Sequence, residues 1–134
     1  MKHLDTSFLV DLLREGTRRK PGPATALLDT IEGDDLRVGV HVVCELLAGA
    51  EFSRRPSVER ERIRDLCGRL DIAYPDERFP PVYARLLLDL EQRRQRIATM
   101  DLLIATGALV DEAALVTRNT RDFARVPGLE VVSY

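Results

Sequence analysis

Cysteine, lysine and long apolar runs are scarce in this chain, and each shortage removes a class of answer. The two cysteines, Cys44 and Cys67, stand 23 positions apart with no second pair, which is neither zinc-site spacing nor a disulfide framework. Both are expected to be small buried hydrophobes. No uncharged stretch nears the length of a membrane span, and Asp5 and Asp11 interrupt the apolar residues near the start where a signal peptide would be unbroken. A cytoplasmic protein with no membrane partner is therefore expected. An excess of one charge is also lacking: 20 Lys plus Arg against 22 Asp plus Glu leaves a net charge of -2, so the molecule as a whole does not advertise nucleic-acid binding. Only Lys2 and Lys20 are lysines, and arginines gather in "REGTRRK", "SRRP" and "EQRRQR". Arginine's planar fork suits phosphate, although a solvated face explains each cluster taken alone.

What is present describes one globular domain spanning 1–134. An apolar fraction of 45% beside a charged fraction of 31% is enough to bury a single core. The chain alternates strand-like and helix-like segments without repeats. "MKHL" begins it as a strand, and "DTSFLVDLLREG" places Phe8, Leu9, Leu12 and Leu13 at helical spacing with Gly16 as its end. "ATALLDTIEG" is a second helix closed by Gly33, after which "LRVGVHVV" alternates like a strand. "CELLAGAEF" and "SVERERIRDLCGRL" are helical, "DIAYP" is a short strand, and "PPVYARLLLDLEQRRQ" is a helix opened by its prolines. "TMDLLIATGALVDEA" is a helix that Thr99 would cap, "ALVTRN" is strand and turn, "RDFARV" is one helical turn, and "LEVVSY" is a last strand. Strands separated by helices predict a three-layer α/β/α architecture with a mostly parallel central sheet.

Isolated carboxylates then fall at telling places on this scaffold. Asp5 follows the first strand, Glu45 lies beyond the second, Asp101 enters the helix begun by Thr99, and Asn119 and Asp122 follow the strand "ALV". Strand ends of a parallel sheet share one edge, where open α/β proteins bind ligands. Each residue also has a plain structural explanation: helix dipoles favour acids in a first turn, which would cover Asp101 and Glu45, and Asp122 could cap the helix "FARV". Asp5, set among apolar neighbours, is harder to explain so. Two carboxylates at ~4 Å repel by about 4 kcal/mol at an effective dielectric near 20, so a cation is expected among them. Oxygen ligands without Cys or His nearby favour Mg²⁺ or Mn²⁺ over zinc. Such an ion can bind a phosphate oxygen and acidify a water, the equipment of phosphodiester hydrolysis. His3 and His41, placed on the first and second strands, are expected to be packed or exposed sheet residues and not general bases.

These residues resemble a known family. "HLDTSFLVDLL" is similar to the N-terminal signature of PIN-domain ribonucleases, in particular the VapC-type toxins of toxin–antitoxin pairs. "VVCELLAGA", "IATMDLLIATGAL" and "LVTRNTRDFARVPGLEVV" resemble their later motifs, in order along essentially the whole chain. The resemblance implies an endoribonuclease that cuts single-stranded or loop RNA, with Asp5 and Asp101 as principal ligands of Mg²⁺ (or Mn²⁺) and Glu45 beside them. Asn119 stands where many such domains have Asp, and Asp122 three residues on is a second candidate for that fourth position. Thr6 and Thr117 are implied as hydroxyl partners that orient water or phosphate. Arg14, Arg18, Arg19, Lys20 and Arg118 are candidates for contacts to the RNA backbone. A homodimer and a cognate antitoxin, whose tail fills the acidic groove with a basic side chain, are also implied.

Two rival readings stay open on the sequence. An aspartyl phosphoacceptor or phosphatase would use Asp5 as nucleophile, but receiver domains of that type need adjacent acids before it and a late lysine, and Lys2 and Lys20 are both early. A degenerate PIN-like domain would keep the fold and bind RNA or protein without catalysis; the retained Asp5, Glu45 and Asp101 argue against it. Loop-RNA recognition depends on shape and splayed bases, so the sequence does not name the RNA or the cleavage site.

Overall fold

The computed structural model describes residues 1–134. Five parallel strands form one sheet: β1 (Lys2–Leu4), β2 (Leu36–Gly39), β3 (Asp71–Ala73), β4 (Ala114–Val116) and β5 (Val131–Val132), in the spatial order β3-β2-β1-β4-β5. Helices α1 (Thr6–Arg18), α2 (Pro23–Ile31), α3 (Val40–Glu51), α4 (Pro56–Cys67), α5 (Phe79–Gln92), α6 (Thr99–Val110) and α7 (Thr120–Phe123) flank it, giving the expected three layers. Register pairs Lys2 with both Leu36 and Ala114, and Leu4 with Val116, so β1 is the central strand. The chain builds outward from β1 to β3 and then returns to the other side with β4 and β5. Strand order therefore reverses at β1 and β4, and a crevice opens beyond their carboxyl ends.

The core follows from the strands' burial on both faces. Leu4, Val38, Leu115 and Val116 pack with Phe8, Leu9, Leu102, Ala105, Ala108 and Phe123 in one cluster. None of the helices is long and apolar enough to cross a membrane.

Several boundaries differ from the sequence-based expectation, each for a local reason. The second strand ends at Gly39, and Val40, His41, Val42 and Val43 are helical in spite of their β-branched pattern. Pairing with β3 runs out at Gly39–Ala73, so nothing extends the ladder. His41 consequently sits on α3 and stacks on Phe79 with ring centroids 5.5 Å apart. Helix α1 passes through Gly16 and stops at Arg19, whose φ of 52° is left-handed and whose successor Lys20 donates its N–H to the Glu15 carbonyl. Helix α6 is entered from Ala98, with Thr99 its first helical residue and no side-chain cap. Cys67 is buried as expected, but Cys44 is exposed because it rides the solvent side of α3.

Candidate active site

Asp5 ends β1 in extended backbone and leads directly into α1, so its side chain must stand at the mouth of the crevice. It is 4% exposed. Its backbone N–H donates to the Val116 carbonyl (2.9 Å), which ties the ends of β1 and β4 together. Thr117, the buried residue just past β4, donates its hydroxyl to Asp5 Oδ2 at 2.6 Å, and Ser7 donates to the same oxygen at 3.1 Å. Both bonds land on Oδ2. Oδ1 receives none and is not sealed inside the protein, so one carboxylate oxygen is fixed by the scaffold and the other is left unbonded.

The neighbouring acids are positioned by separate elements. Glu45 lies in the second turn of α3, outside the reach of a first-turn dipole, and its Oε1 accepts the Thr6 hydroxyl at 2.6 Å. Asp101 is in the first turn of α6, yet its carboxylate makes no hydrogen bond to that helix's N-terminus. Burial pushes the Asp101 carboxyl up to about 6, and the charges of Asp5, Glu45 and Asp122 add to that rise. Four acids from four elements thus share one electrostatic field. Asn119 donates its side-chain amide to Asp122 Oδ2 at 3.2 Å, and its backbone N–H bonds the Thr117 hydroxyl at 3.0 Å. The charge that reaches Asp101 from this loop is that of Asp122.

The donor set is all oxygen, and no three acidic or imidazole groups converge on one point. A hard cation suits this arrangement, because Mg²⁺ commonly keeps several waters and takes only one or two carboxylates together with substrate phosphate. The free Oδ1 of Asp5 and the unbonded carboxylate of Asp101 would hold it, with Glu45 adjacent.

Ser7 is the member that sequence reasoning misses. Besides Asp5 it touches the Thr117 hydroxyl (3.2 Å) and accepts the Arg118 N–H (3.1 Å), so it joins α1 to the loop after β4. Its only signal in the sequence is its place two residues after Asp5. Asp11 is likewise legible only in three dimensions, where it accepts Arg118 at 3.0 Å and the Tyr134 hydroxyl at 2.7 Å.

The basic candidates separate. Arg14 and Arg18 line a groove of about 430 Å³ that begins at Thr6 and Glu45 between α1, α3 and α4. Both also border an adjoining groove of about 510 Å³ that includes Lys20 and Arg118. Arg19 lines neither groove and borders a separate one with Asp65 and Arg69. The histidines stay out of the crevice: His3 is buried and hydrogen-bonds Asp111 at 2.7 Å, just beyond the far end of α6, and burial lowers its pKa.

The family model of the PIN domain matches residues 2–129, and the chain belongs to the PIN-domain family. Within that family it is 30% identical over 131 residues to Ribonuclease VapC19 of Mycobacterium tuberculosis, covering 97% of this chain and 98% of that one. It is 33% identical over 88 residues to Ribonuclease VapC2 of Rickettsia felis, a match spanning 66% of each chain. Among solved structures, VapBC2 of Rickettsia felis bound to a DNA fragment from its promoter matches with a TM-score of 0.88 at 25% identity, over 99% of this chain and 98% of that chain.

Proposed function

We propose that this chain is a VapC-type endoribonuclease, the toxin of a toxin–antitoxin pair, which hydrolyses single-stranded or loop RNA with a bound Mg²⁺ or Mn²⁺. The observation that carries the reading is the Asp101 carboxyl, held at about 6 by burial and by three other acids at one sheet edge. Such an arrangement is unfavourable for the fold alone and suits a site that receives a cation. Asp5 and Asp101 would hold the ion, with Asp122 as the fourth acid of the site and Asn119 orienting Asp122. A divalent cation bound there supplies positive charge to a phosphate oxygen and acidifies a water.

The protein's own groups do the positioning. Thr117 and Ser7 lock Oδ2 of Asp5 so that Oδ1 keeps one direction. Thr6 fixes Oε1 of Glu45, which leaves Oε2 to accept a hydrogen bond from the attacking water and aim it at phosphorus. Because water and not the ribose 2′-hydroxyl attacks, the products carry a 5′-phosphate and a 3′-hydroxyl. The phosphoacceptor alternative lacks its lysine here, since Lys2 is paired with Asp34 at 2.6 Å at the opposite end of β1, and Lys20 lies just beyond the end of α1 remote from Asp5.

Solved relatives include toxin–antitoxin complexes, which supports an antitoxin partner for this chain; the proposal adds that the antitoxin places a basic side chain in the acidic crevice and that the chain forms a homodimer. The test is end-labelled RNA incubated with Mn²⁺ or with EDTA, for wild type, Asp5→Asn and Asp101→Asn. Cleavage by wild type alone, and only with metal, is the expected result. Cleavage that persists in EDTA, or in both variants, removes the proposal.

A further inference from the structure

We infer that Arg14, Arg18 and Lys20 form a phosphate track that leads the substrate strand along α1 to the carboxylate crevice, and that Arg118 is not part of it. The inference rests on the ribonuclease reading and adds where the strand runs. Thr6, Val10, Arg14 and Arg18 are four residues apart and share one face of α1. From Thr6 to Arg18 that face extends ~18 Å, long enough for several charges in a row and too long for a single phosphate. The groove that starts at Thr6 and Glu45 contains Arg14 and Arg18, and these two border the second groove, where Lys20 joins them.

Every acid on these walls already has a partner. Glu15 accepts the backbone N–H groups of Gly22 (2.6 Å), Thr25 (2.9 Å) and Ala24 (3.0 Å). Asp11 is occupied by Arg118 and Tyr134, Glu59 by Arg62 at 2.9 Å, and Glu45 by Thr6. None of the ion pairs in the molecule uses Arg14, Arg18 or Lys20. Arg118, by contrast, gives its guanidinium to both Asp11 oxygens and its backbone N–H to Ser7, so its charge is spent in holding the loop after β4 against α1. A single-stranded nucleic acid is favoured over an acidic protein segment as occupant. The groove ends at Glu45 near Asp101, and the regular succession of phosphates along a strand can follow Arg14, Arg18 and Lys20 in turn to that end, whereas a peptide carries no anion in its backbone.

Binding of a short labelled single-stranded RNA, measured in EDTA across a salt titration, tests this. Arg14→Ala/Arg18→Ala/Lys20→Ala is expected to weaken binding at least tenfold at low salt and to flatten the slope of log affinity against log salt by ~2, the value for three lost single-strand contacts. Arg118→Ala is expected to keep the wild-type slope. Arg85→Ala removes an exposed arginine of α5 that borders neither groove and should change nothing. With Mn²⁺, the triple variant should lose kcat/KM by the same factor while kcat on saturating RNA is kept. An unchanged slope in the triple variant, or an equal loss in Arg85→Ala, overturns the track while wild-type cleavage leaves the ribonuclease reading standing. A polyglutamate peptide that displaces the RNA from wild type at equal charge concentration overturns it in favour of an acidic protein partner. Wild type that neither binds nor cleaves RNA removes both.

Discussion

At Asp101 a carboxylate stands where the fold by itself does not favour its charge. Burial, then the charges of Asp5, Glu45 and Asp122, lift its carboxyl from the ordinary 3.8 to about 6. The native state therefore holds this proton more tightly than the unfolded chain does. Stability falls as pH rises from about 4 to about 6, and the full penalty applies above that window. Partial solvation of the side chain brings the penalty to about 1 kcal/mol. Asp101→Asn should accordingly melt higher than wild type in EDTA near neutral pH, with the difference vanishing below about pH 4, as thermal unfolding at several pH values would record. A lower melt for the variant at neutral pH would instead mean that Asp101 supports its helix. Thr117→Val removes the 2.6 Å bond that fixes Asp5. Losing one hydrogen bond to a charged group is worth ~1.5–3 kcal/mol, so cleavage should slow by roughly tenfold or more with metal at saturation. Asp5 and Glu45 were legible from their places after strands and Asp101 from its place in the first turn of a helix, whereas Ser7 was not, since a serine at a helix start carries no sign of the loop it will meet more than a hundred residues later.

Among the elements, the junction of α1 and α2 depends on one side chain. Glu15 takes the place of a cap for α2, whose N-cap Gly22 has no side chain to offer. Desolvation works against its charge, but the N–H groups of Thr25, Ala24 and Gly22 outweigh it and hold the carboxyl below its ordinary value. Stabilisation of this kind is present above the ordinary glutamate range and is lost as pH falls through the lowered value. Glu15→Gln should lower the melting temperature at neutral pH and converge on wild type in acid, which a pH series of melts would detect. Gly22→Ala should act at the same joint, because an added Cβ would lie 2.8 Å from Glu15 Cδ. The order and type of the elements followed from periodicity and turn residues, but the end of β2 did not. "VGVHVV" reads as strand by composition, but its ladder with β3 ends at Gly39–Ala73 and α3 begins at Val40.

For the whole molecule, the metal is expected to act as a ligand of the native state alone. Excess Mn²⁺ should raise the wild-type melting temperature, by the equivalent of about 2.7 kcal/mol at a hundredfold excess over Kd. Asp101→Asn should gain less. The wild-type gain should shrink as pH falls through about 6, because protons and metal compete for Asp101. A wild-type melt that is the same in saturating Mn²⁺ and in EDTA would remove the site.

Hydrophobic period and turn chemistry are local properties, so the alternation of strands and helices, hence a parallel sheet, and the places of Asp5 and Glu45 after strands could be read along the chain. Long-range packing is what brings Asp5, Glu45, Asp101 and Asp122 into one field, makes Asp122 and not Asn119 the fourth charge, and ties Arg118 to Asp11 while Arg14, Arg18 and Lys20 stay free. Those outcomes depend on strand order. Only when β1 lies beside β4 do Asp5 and Thr117 meet across 112 residues, and no local pattern encodes a neighbour that the chain reaches by crossing the sheet.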